Sequence, residues 1–525
     1  MDATLLSIDC GTQSLRAMLF DASGHLLHKV KVEYEPYVSP RPGWAEQDAN
    51  FWWKTLCSAV KELKNLAPGP FARIRGVGVA TQRDTHILVD AEGNPVRPAI
   101  LWLDTRKART VYRPSLPKRV IFRAAGILEG VMKVQQDCRT NWVRQEQPDV
   151  WSRTHKALLL SGFINYSLTG VFRDTVAAQI GHVPFNYKAI RWAAPGELPA
   201  LLVPIERERL PELVPAGSIL GRVTAQASEA TGIPEGLPVV ACASDKGAET
   251  VGIGCVGEDR AAVSFGTTAT VQTTSRRYFE PIAFMPPYPA ALPGCYNPEM
   301  EIFRGYWMIS WFKREFAAKE IQEAQAAGVA PEVILDRHLR AVPPGSMGLT
   351  TLPNWGPSLK APGAKGAIIG FGDVHTRAHL YRSVIEGLAF ALREGLERIE
   401  RRGRLSIRNV GISGGATQST EICQITADIF GRELFAGETY ETAGLGTAVI
   451  TAAGVGLYPS ITEAVAGMVR AGRTYVPHPV NRALYEKIYR KVYGRMFGRL
   501  HPLHTDLRAI HNYPERAADE DPSLP

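Results

Sequence analysis

Apolar and polar positions change period repeatedly along this chain, and the changes mark out its elements. Thr4–Ile8 and Ala17–Phe20 are short, nearly continuous apolar runs, and Leu26–Glu33 alternates. Residues 4–33 therefore predict two or three antiparallel strands, with a hairpin turn at Asp21-Ala22-Ser23-Gly24. Asp48 stands as N-cap before a helix over Phe51–Leu66. Arg75–Ala80 reads as a buried strand with Gln82–Asp84 at its C-terminal end. His86–Val89 and Ala99–Leu103 read as strands joined across the Asp90–Pro95 turn. Residues 140–170 are expected to be helical with aromatic anchors, and residues 190–216, rich in Pro and Ala, to be loop or insertion. Leu237–Ala243 is a further apolar strand, ending at Ser244-Asp245. The second half repeats the theme, with strand, loop and strand over 260–274, then irregular Pro-rich chain over 281–298. Helices are expected near 306–327 and 376–402, a strand at Asn409–Ser413 running into Gly414-Gly415, and helices near 419–430 and 442–455. The tail from about residue 500 is polar and is expected to fray. Strands mixed with helices in both halves predict two α/β domains with a cleft between them.

One device occurs in both halves. Asp9-Cys10-Gly11-Thr12-Gln13-Ser14-Leu15-Arg16 and Val263-Ser264-Phe265-Gly266-Thr267-Thr268-Ala269-Thr270 each join two apolar runs through a Gly and a cluster of hydroxyl residues. A Gly lets backbone approach a ligand closely, and turn N–H groups with Ser/Thr hydroxyls suit phosphate oxygens. A single Gly-Thr turn is usually an ordinary hairpin. Its repetition points to a duplicated fold that grips a polyphosphate from both sides.

Composition adds bounds. A chain of 525 residues, 45% hydrophobic and 21% charged, has enough apolar material for two large cores. No apolar run reaches the roughly 18 residues of a membrane span. The start has no basic region and Asp9 interrupts the first apolar run, so no secretory signal is expected. The seven cysteines are scattered and form no C-x-x-C pair, which implies idle thiols in a reducing cytoplasm. A net charge of +8 is modest, and the dense patch at Arg398, Arg401, Arg402 and Arg404 lacks aromatic platforms, so neither nucleic acid nor membrane is an expected partner. The positive field still favours an anionic nucleotide.

Several segments, taken in order, resemble the FGGY family of carbohydrate kinases over residues 4–480. Asp9–Arg16 resembles its first phosphate loop, Thr81-Gln82-Arg83-Asp84-Thr85 its substrate-strand motif, and Ala99–Arg106 the segment after it. Ala243-Ser244-Asp245 resembles the catalytic-aspartate motif and Ser264–Thr268 the second phosphate loop. Gly366–Gly370, continuing through His379-Leu380 to Ser383–Glu386, is similar to the C-terminal signature, with Phe371 where a smaller aliphatic is usual. Ser413–Ser419 resembles the adenosine loop, and Gly444–Ala448 the alanine-rich helix start. Three departures stand out. The family's Lys-x-x-Trp appears as Arg139-Thr140-Asn141-Trp142, the stretch Glu129–Gln136 matches no subgroup, and Lys246 follows the aspartate.

The resemblance implies two actin-like (ribonuclease H-like) domains of mixed sheet flanked by helices. Residues 1–248 would carry the sugar site and first phosphate loop, residues 249–480 the nucleotide, and residues 481–525 a C-terminal helix and tail. It implies ATP with Mg²⁺, a cytoplasmic enzyme, and assembly as a homodimer in common with many members. Asp245 would be the general base and would also contact the substrate, because a carboxylate at a strand end can take the proton of an attacking hydroxyl. Gly11, Thr12, Gln13, Ser14 and Arg16 would serve the β- and γ-phosphates, opposed by Gly266, Thr267 and Thr268, with Asp9 holding Mg²⁺ through water. Gly414, Gly415, Ala416 and Ser419 (or Gln418) would meet adenosine, with Gly305 and Ser310 nearby. Arg83 and Asp84 offer a donor fork beside an acceptor pair, which suits the vicinal hydroxyls of a C3–C4 polyol. Asp84 is a methylene shorter than the acid in the similar Asn-Gln-Arg-Glu-Thr of glycerol kinases. That leaves room for a larger polyol or sugar, so the expected substrate is a small polyol or keto-sugar, with a ketopentose, xylulose- or ribulose-like, rather than a glycerol- or erythritol-like one within the kinase reading. Trp102 would wall the site, and Asp104 with Arg106 would form an ion pair near it. An actin-like ATPase switch would need no polyhydroxyl pocket, and a silent sugar sensor would have lost Asp245 or a phosphate loop.

Overall fold

The computed structural model describes residues 3–356 and 363–513. Strands β1 (Thr4–Cys10), β2 (Ser14–Asp21) and β3 (Leu26–Glu33) form an antiparallel meander. On the other side of β1 lies the parallel strand β4 (Ile74–Thr81). The sheet is completed by β5 (Ile219–Arg222) and β6 (Pro238–Val240), in the order β5-β6-β4-β1-β2-β3. The second sheet uses β7 (Arg260–Phe265), β8 (Ala269–Gln272), β9 (Glu299–Ile302), β10 (Asn409–Ser413), β11 (Leu434–Gly437) and β12 (Ala471–Tyr475), in the order β9-β8-β7-β10-β11-β12. Outward from β1 or β7 the plan is the same: a meander on one side, then two parallel neighbours and an antiparallel edge on the other. Only chain order differs, since the edge strand precedes its neighbour in the first lobe and follows it in the second. The duplication expected from the two loops is a duplication of whole sheets.

β1 is buried along its full length because both of its faces are covered. Leu6, Ile8 and Cys10 face the core built with helix α1 (Ala49–Leu66), whose N-cap Asp48 accepts from the Asn50 N–H. The alternate residues Leu5, Ser7 and Asp9 take the opposite face, with Leu5 in the core shared by the lobes. Helix α2 (Asp245–Gly252) leaves the first lobe and hydrogen-bonds to the second sheet, while helix α4 (Thr442–Gly454) returns from the second lobe and packs on β1 and β4. Between these lies helix α3 (Arg377–Gly403), the long core helix of the second lobe, opened by Thr376. Its Glu386, part of the segment resembling the C-terminal signature, is buried and hydrogen-bonded by the Gly345 N–H, Ser346, Arg382 and Tyr485. It acts inside the core, away from the cleft.

Helices α2 and α4 cross backbone against backbone. A Cβ at Gly446 would lie 1.8 Å from the Ala248 carbonyl oxygen, and one at Gly252 would lie 1.9 Å from that of Thr442. Ser7 adds a hydrogen bond to the Gly444 carbonyl at 2.8 Å. A methyl group at this crossing must push the lobes apart, so Gly446→Ala is expected to cost about 1–3 kcal/mol. Calorimetric melting checks this, and an unchanged midpoint would refute the close crossing.

The structure departs from the sequence reading in several places. The stretch 140–170 is interrupted by the strand Lys156–Leu159, which pairs with His86–Val89. The expected loop 190–216 holds a short helix, Leu198–Leu202, and strands that pair back to Phe185–Asn186 and Arg173–Thr175. The helix near 306–327 is two helices, Trp307–Phe316 and Ala318–Ala327. The tail is helical over Gly494–His511, while residues 514–525 lie outside the described residues. All seven cysteines are free thiols, and among the described residues no helix is long and apolar enough to cross a membrane.

Candidate active site

Three strands of the first sheet deliver their C-terminal ends side by side. Cys10 pairs with Thr81, and Thr81 bridges to Ser244, so the Gly11 loop, Gln82–Asp84 and Asp245 emerge along one edge of the sheet. In the second sheet Ser264 pairs with Ser413, which sets the Gly266 loop beside Gly414-Gly415. Gly414 has φ +93°, and a Cβ there would lie 2.8 Å from the Phe265 carbonyl carbon, so this turn admits only glycine.

Buried Glu249, one turn into α2, joins the two edges. Its Oε1 accepts from Ser264 at 2.9 Å and Ser413 at 2.6 Å, and its Oε2 receives the Lys246 ammonium at 2.9 Å. Burial pushes this carboxyl up, but Lys246 and the two hydroxyls hold it below the usual glutamate value. The base candidate and both second-lobe loops are thus fixed to one helix start.

Asp245 is the first residue of α2 and is half-buried. Ser244 caps the helix by accepting from the Gly247 N–H. One Asp245 oxygen accepts from the Lys246 N–H at 2.7 Å, and the other has no partner among the described residues. Burial raises its pKa, against the pull of Arg83 and Lys246. Asp9 lies on the same side of the sheet, where burial and the Asp245 charge push it up to about 6 despite Arg16.

The first loop is held from within. The Gly11 N–H donates to the Ser14 carbonyl at 3.0 Å and the Tyr34 N–H to that of Gln13 at 3.1 Å. Thr12 donates to Gln82 Oε1 at 2.7 Å and accepts from Trp102 at 3.2 Å, which sets Trp102, 37% exposed, against the first loop. Gln82 Nε2 is buried without a partner. In the second loop Gly266 O and Thr267 O accept from the Tyr306 and Trp307 N–H groups, and Thr268 donates to Phe303 O. Gly305 presses on Ala269, and Ser310 lies exposed in the first turn of the helix that follows.

Four assignments meet side chains already committed elsewhere. Arg16 pairs with Asp9 at 2.8 Å and lies 3.3 Å from Glu441. Arg83 forms a two-pronged pair with Glu299 of the other lobe, at 2.8 and 3.2 Å, above the Tyr288 ring. Asp84 accepts from Arg139 at 2.8 Å, from His86 at 3.0 Å, and from both Nδ1 and the backbone N–H of His182 at 2.8 Å. Burial alone would raise its pKa, yet Arg139 and His182 hold it well below the usual value. Ser419 caps the helix Thr420–Phe430 and donates to Asp336 at 2.7 Å, whereas Gly415 and Gln418 face open space. Asp104 and Arg106 form the expected pair, doubly bonded at 2.7 and 2.8 Å, with the guanidinium 3.9 Å from the Trp44 ring centre.

Residues 4–252 match the model of the FGGY carbohydrate kinase N-terminal domain, and residues 261–455 match that of its C-terminal domain. The chain belongs to the FGGY family of carbohydrate kinases. It is a sugar kinase, a transferase that uses ATP. The uncharacterized sugar kinase YgcE of Escherichia coli strain K12 is 29% identical over 92% of the chain and 91% of that protein. The xylulose kinase of Lactococcus lactis is 27% identical over 92% of the chain and 94% of its own length. The crystal structure of xylulose kinase from Rhodospirillum rubrum superposes with a TM-score of 0.77 at 25% identity, covering 96% of this chain and all of that one.

Within this FGGY kinase, sequence reasoning missed Glu299, Glu301 and His182. All three reach the cleft through distant parts of the chain. Burial and neighbouring Glu299 push the Glu301 carboxyl upward. Arg139 was visible only as a break in a family pattern, and the carboxylate it pairs with explains why a cation stands there.

Proposed function

We propose that this kinase transfers the γ-phosphoryl group of ATP to a hydroxyl of a keto-sugar, a ketopentose of the xylulose or ribulose type, with Asp245 as general base. The observation that carries the reading is the free Asp245 oxygen at the start of a helix that Glu249 ties to both second-lobe loops. The acceptor hydroxyl lies between that oxygen and the Gly266 turn. The new bond from sugar oxygen to phosphorus forms as the bond from phosphorus to the β–γ bridging oxygen breaks. ADP leaves, and the hydroxyl proton passes to Asp245.

The donor set fits a magnesium ion brought in on the phosphates. Asp9 and Asp245 are two carboxylates on one side of the sheet, close enough that the Asp245 charge adds to burial in raising the Asp9 pKa, and Mg²⁺ uses few carboxylates and keeps most of its waters. Asp9 would hold it through water, and the ion would supply charge neutralisation. Gly11–Ser14 and Gly266–Thr268 would orient the phosphates, and Gly414–Ala416 would let adenosine lie against backbone. Support for a ketose over glycerol comes from the first lobe. Asp84, a methylene shorter than the acid of the similar glycerol-kinase motif, is clamped by the side chains of Arg139, His86 and His182. The xylulose kinases among the relatives point the same way. A panel of ketopentoses, tetritols and glycerol, followed by ADP release, tests the reading. Turnover with a ketopentose above all others is expected, and preference for glycerol would overturn the substrate assignment.

A further inference from the structure

Lys246 is the residue after the base, at the second position of α2, and the mechanism above gives it no task. Its ammonium donates to Glu249 Oε2 at 2.9 Å and to Ser264 Oγ at 2.6 Å. A Cβ on Gly266 would lie 3.4 Å from Nζ, so the charge rests against the first residue of the second loop. An ammonium carries three protons in a tetrahedral array. Two are fixed by Glu249 and Ser264, and the third has no partner among the described residues and is turned away from both. Arg16, the cation expected beside the phosphates, is occupied by two carboxylates. Lys246 bonds directly to a single carboxylate, Glu249, which two serine hydroxyls share through its other oxygen, and the Asp245 charge lies nearby. Glu249 supports a charged lysine, against the effect of burial.

We propose that Lys246 is the phosphate-binding cation of this kinase: its third proton is aimed at the terminal phosphoryl group, between the Gly266 turn and the base. The position follows from chain order, since the group being transferred has to sit between Asp245 and the second loop. Glu249 then acts as a positioning residue that orients the lysine. The inference rests on reading the two loops as a phosphate cradle, and it goes beyond that reading by naming a side chain that distinguishes triphosphate from diphosphate.

The competing role is that Lys246 only neutralises buried Glu249. Calorimetric titration with adenosine, ADP and β,γ-methylene-ATP, at fixed Mg²⁺, separates the two. Lys246→Met is expected to lower affinity for the triphosphate analogue by about tenfold or more, the scale of a lost charge-assisted hydrogen bond, while adenosine binds as before and ADP is affected less. Lys246→Arg is expected to stay near the parent. The double variant K246M/E249Q removes the buried charge together with its partner, and so remains informative if K246M alone fails to fold. Weak triphosphate binding with parental adenosine binding in the double variant supports the proposal. Parental triphosphate binding there, or in K246M, overturns it. Parent protein that binds adenosine and the analogue equally would remove the phosphate cradle itself, and the proposal with it.

Discussion

Asp245→Asn is expected to lower kcat by about 10²–10⁴-fold, the range of a lost general base, with ATP affinity nearly unchanged. The separation of effects follows from the geometry. One Asp245 oxygen is free of partners among the described residues and, on the proposed reading, would meet the acceptor, whereas the second-lobe loops are anchored separately through the Glu249 side chain. Asparagine keeps the side-chain oxygen that receives the Lys246 N–H, so the helix start should survive the change. The parent should also show an acid limb in kcat/KM. The ionised carboxylate is the active form, so rate falls as pH drops and the group takes up a proton. Burial raises the pKa above 3.8, which moves the midpoint of that limb above the ordinary aspartate value. Turnover of the asparagine variant at the parental rate would remove Asp245 from the chemistry. An acid limb that persists unchanged in residual activity would assign the titration to another group.

What was legible in the sequence, and what was not, divides along physical lines. β10 was read to its boundaries because Asn409–Ser413 is a short apolar run bounded by a Gly-Gly turn, the strongest local signal a buried parallel strand gives. Lys156–Leu159 reads as helix because its four residues run directly into the helix Leu160–Thr169. Its strand character comes from pairing with His86–Val89 far away in sequence. β12 carries an exposed, irregular pattern, as an edge strand can, and left no period to read. The polar tail reads as frayed by composition, yet contacts across the molecule hold it helical. Arg508 reaches Glu129 of the first lobe at 3.4 Å, and the Lys365 N–H donates to His504 at 3.3 Å. The same division holds at the site. Motifs that end strands, such as Ser244-Asp245 and Ser413-Gly414, carry their own local signature. Pairings such as Arg83 with Glu299 and Asp84 with His182 join segments 98 to 216 residues apart in the chain, and no local pattern records them.

These long-range pairings change what Asp84 is expected to do. Four donors from Arg139, His86 and His182 surround its two oxygens, and its backbone takes a left-handed φ of 53°, a conformation that aspartate adopts more readily than most non-glycine residues. Arg139 is 5% exposed, so removing the carboxylate leaves a buried guanidinium without its counter-charge. Asp84→Ala is therefore expected to cost about 3–5 kcal/mol, the scale of a broken buried pair. Asp84→Asn, which keeps the shape and one acceptor, should cost less. Because the folded pKa lies below the unfolded value, the carboxylate's contribution is present above about pH 4 and is lost as pH falls through the folded pKa. The parent should lose stability relative to Asp84→Asn on acidification. Denaturant unfolding at pH 7 and at a pH well below 4, set beside KM for sugar and for ATP, decides the role. Sugar KM rising in step with lost stability across both variants means that Asp84 holds Arg139 and His182 in place. Sugar KM rising steeply in Asp84→Asn at parental stability means instead that the carboxylate meets a substrate hydroxyl itself, and that the pairs seen here give way when the sugar enters.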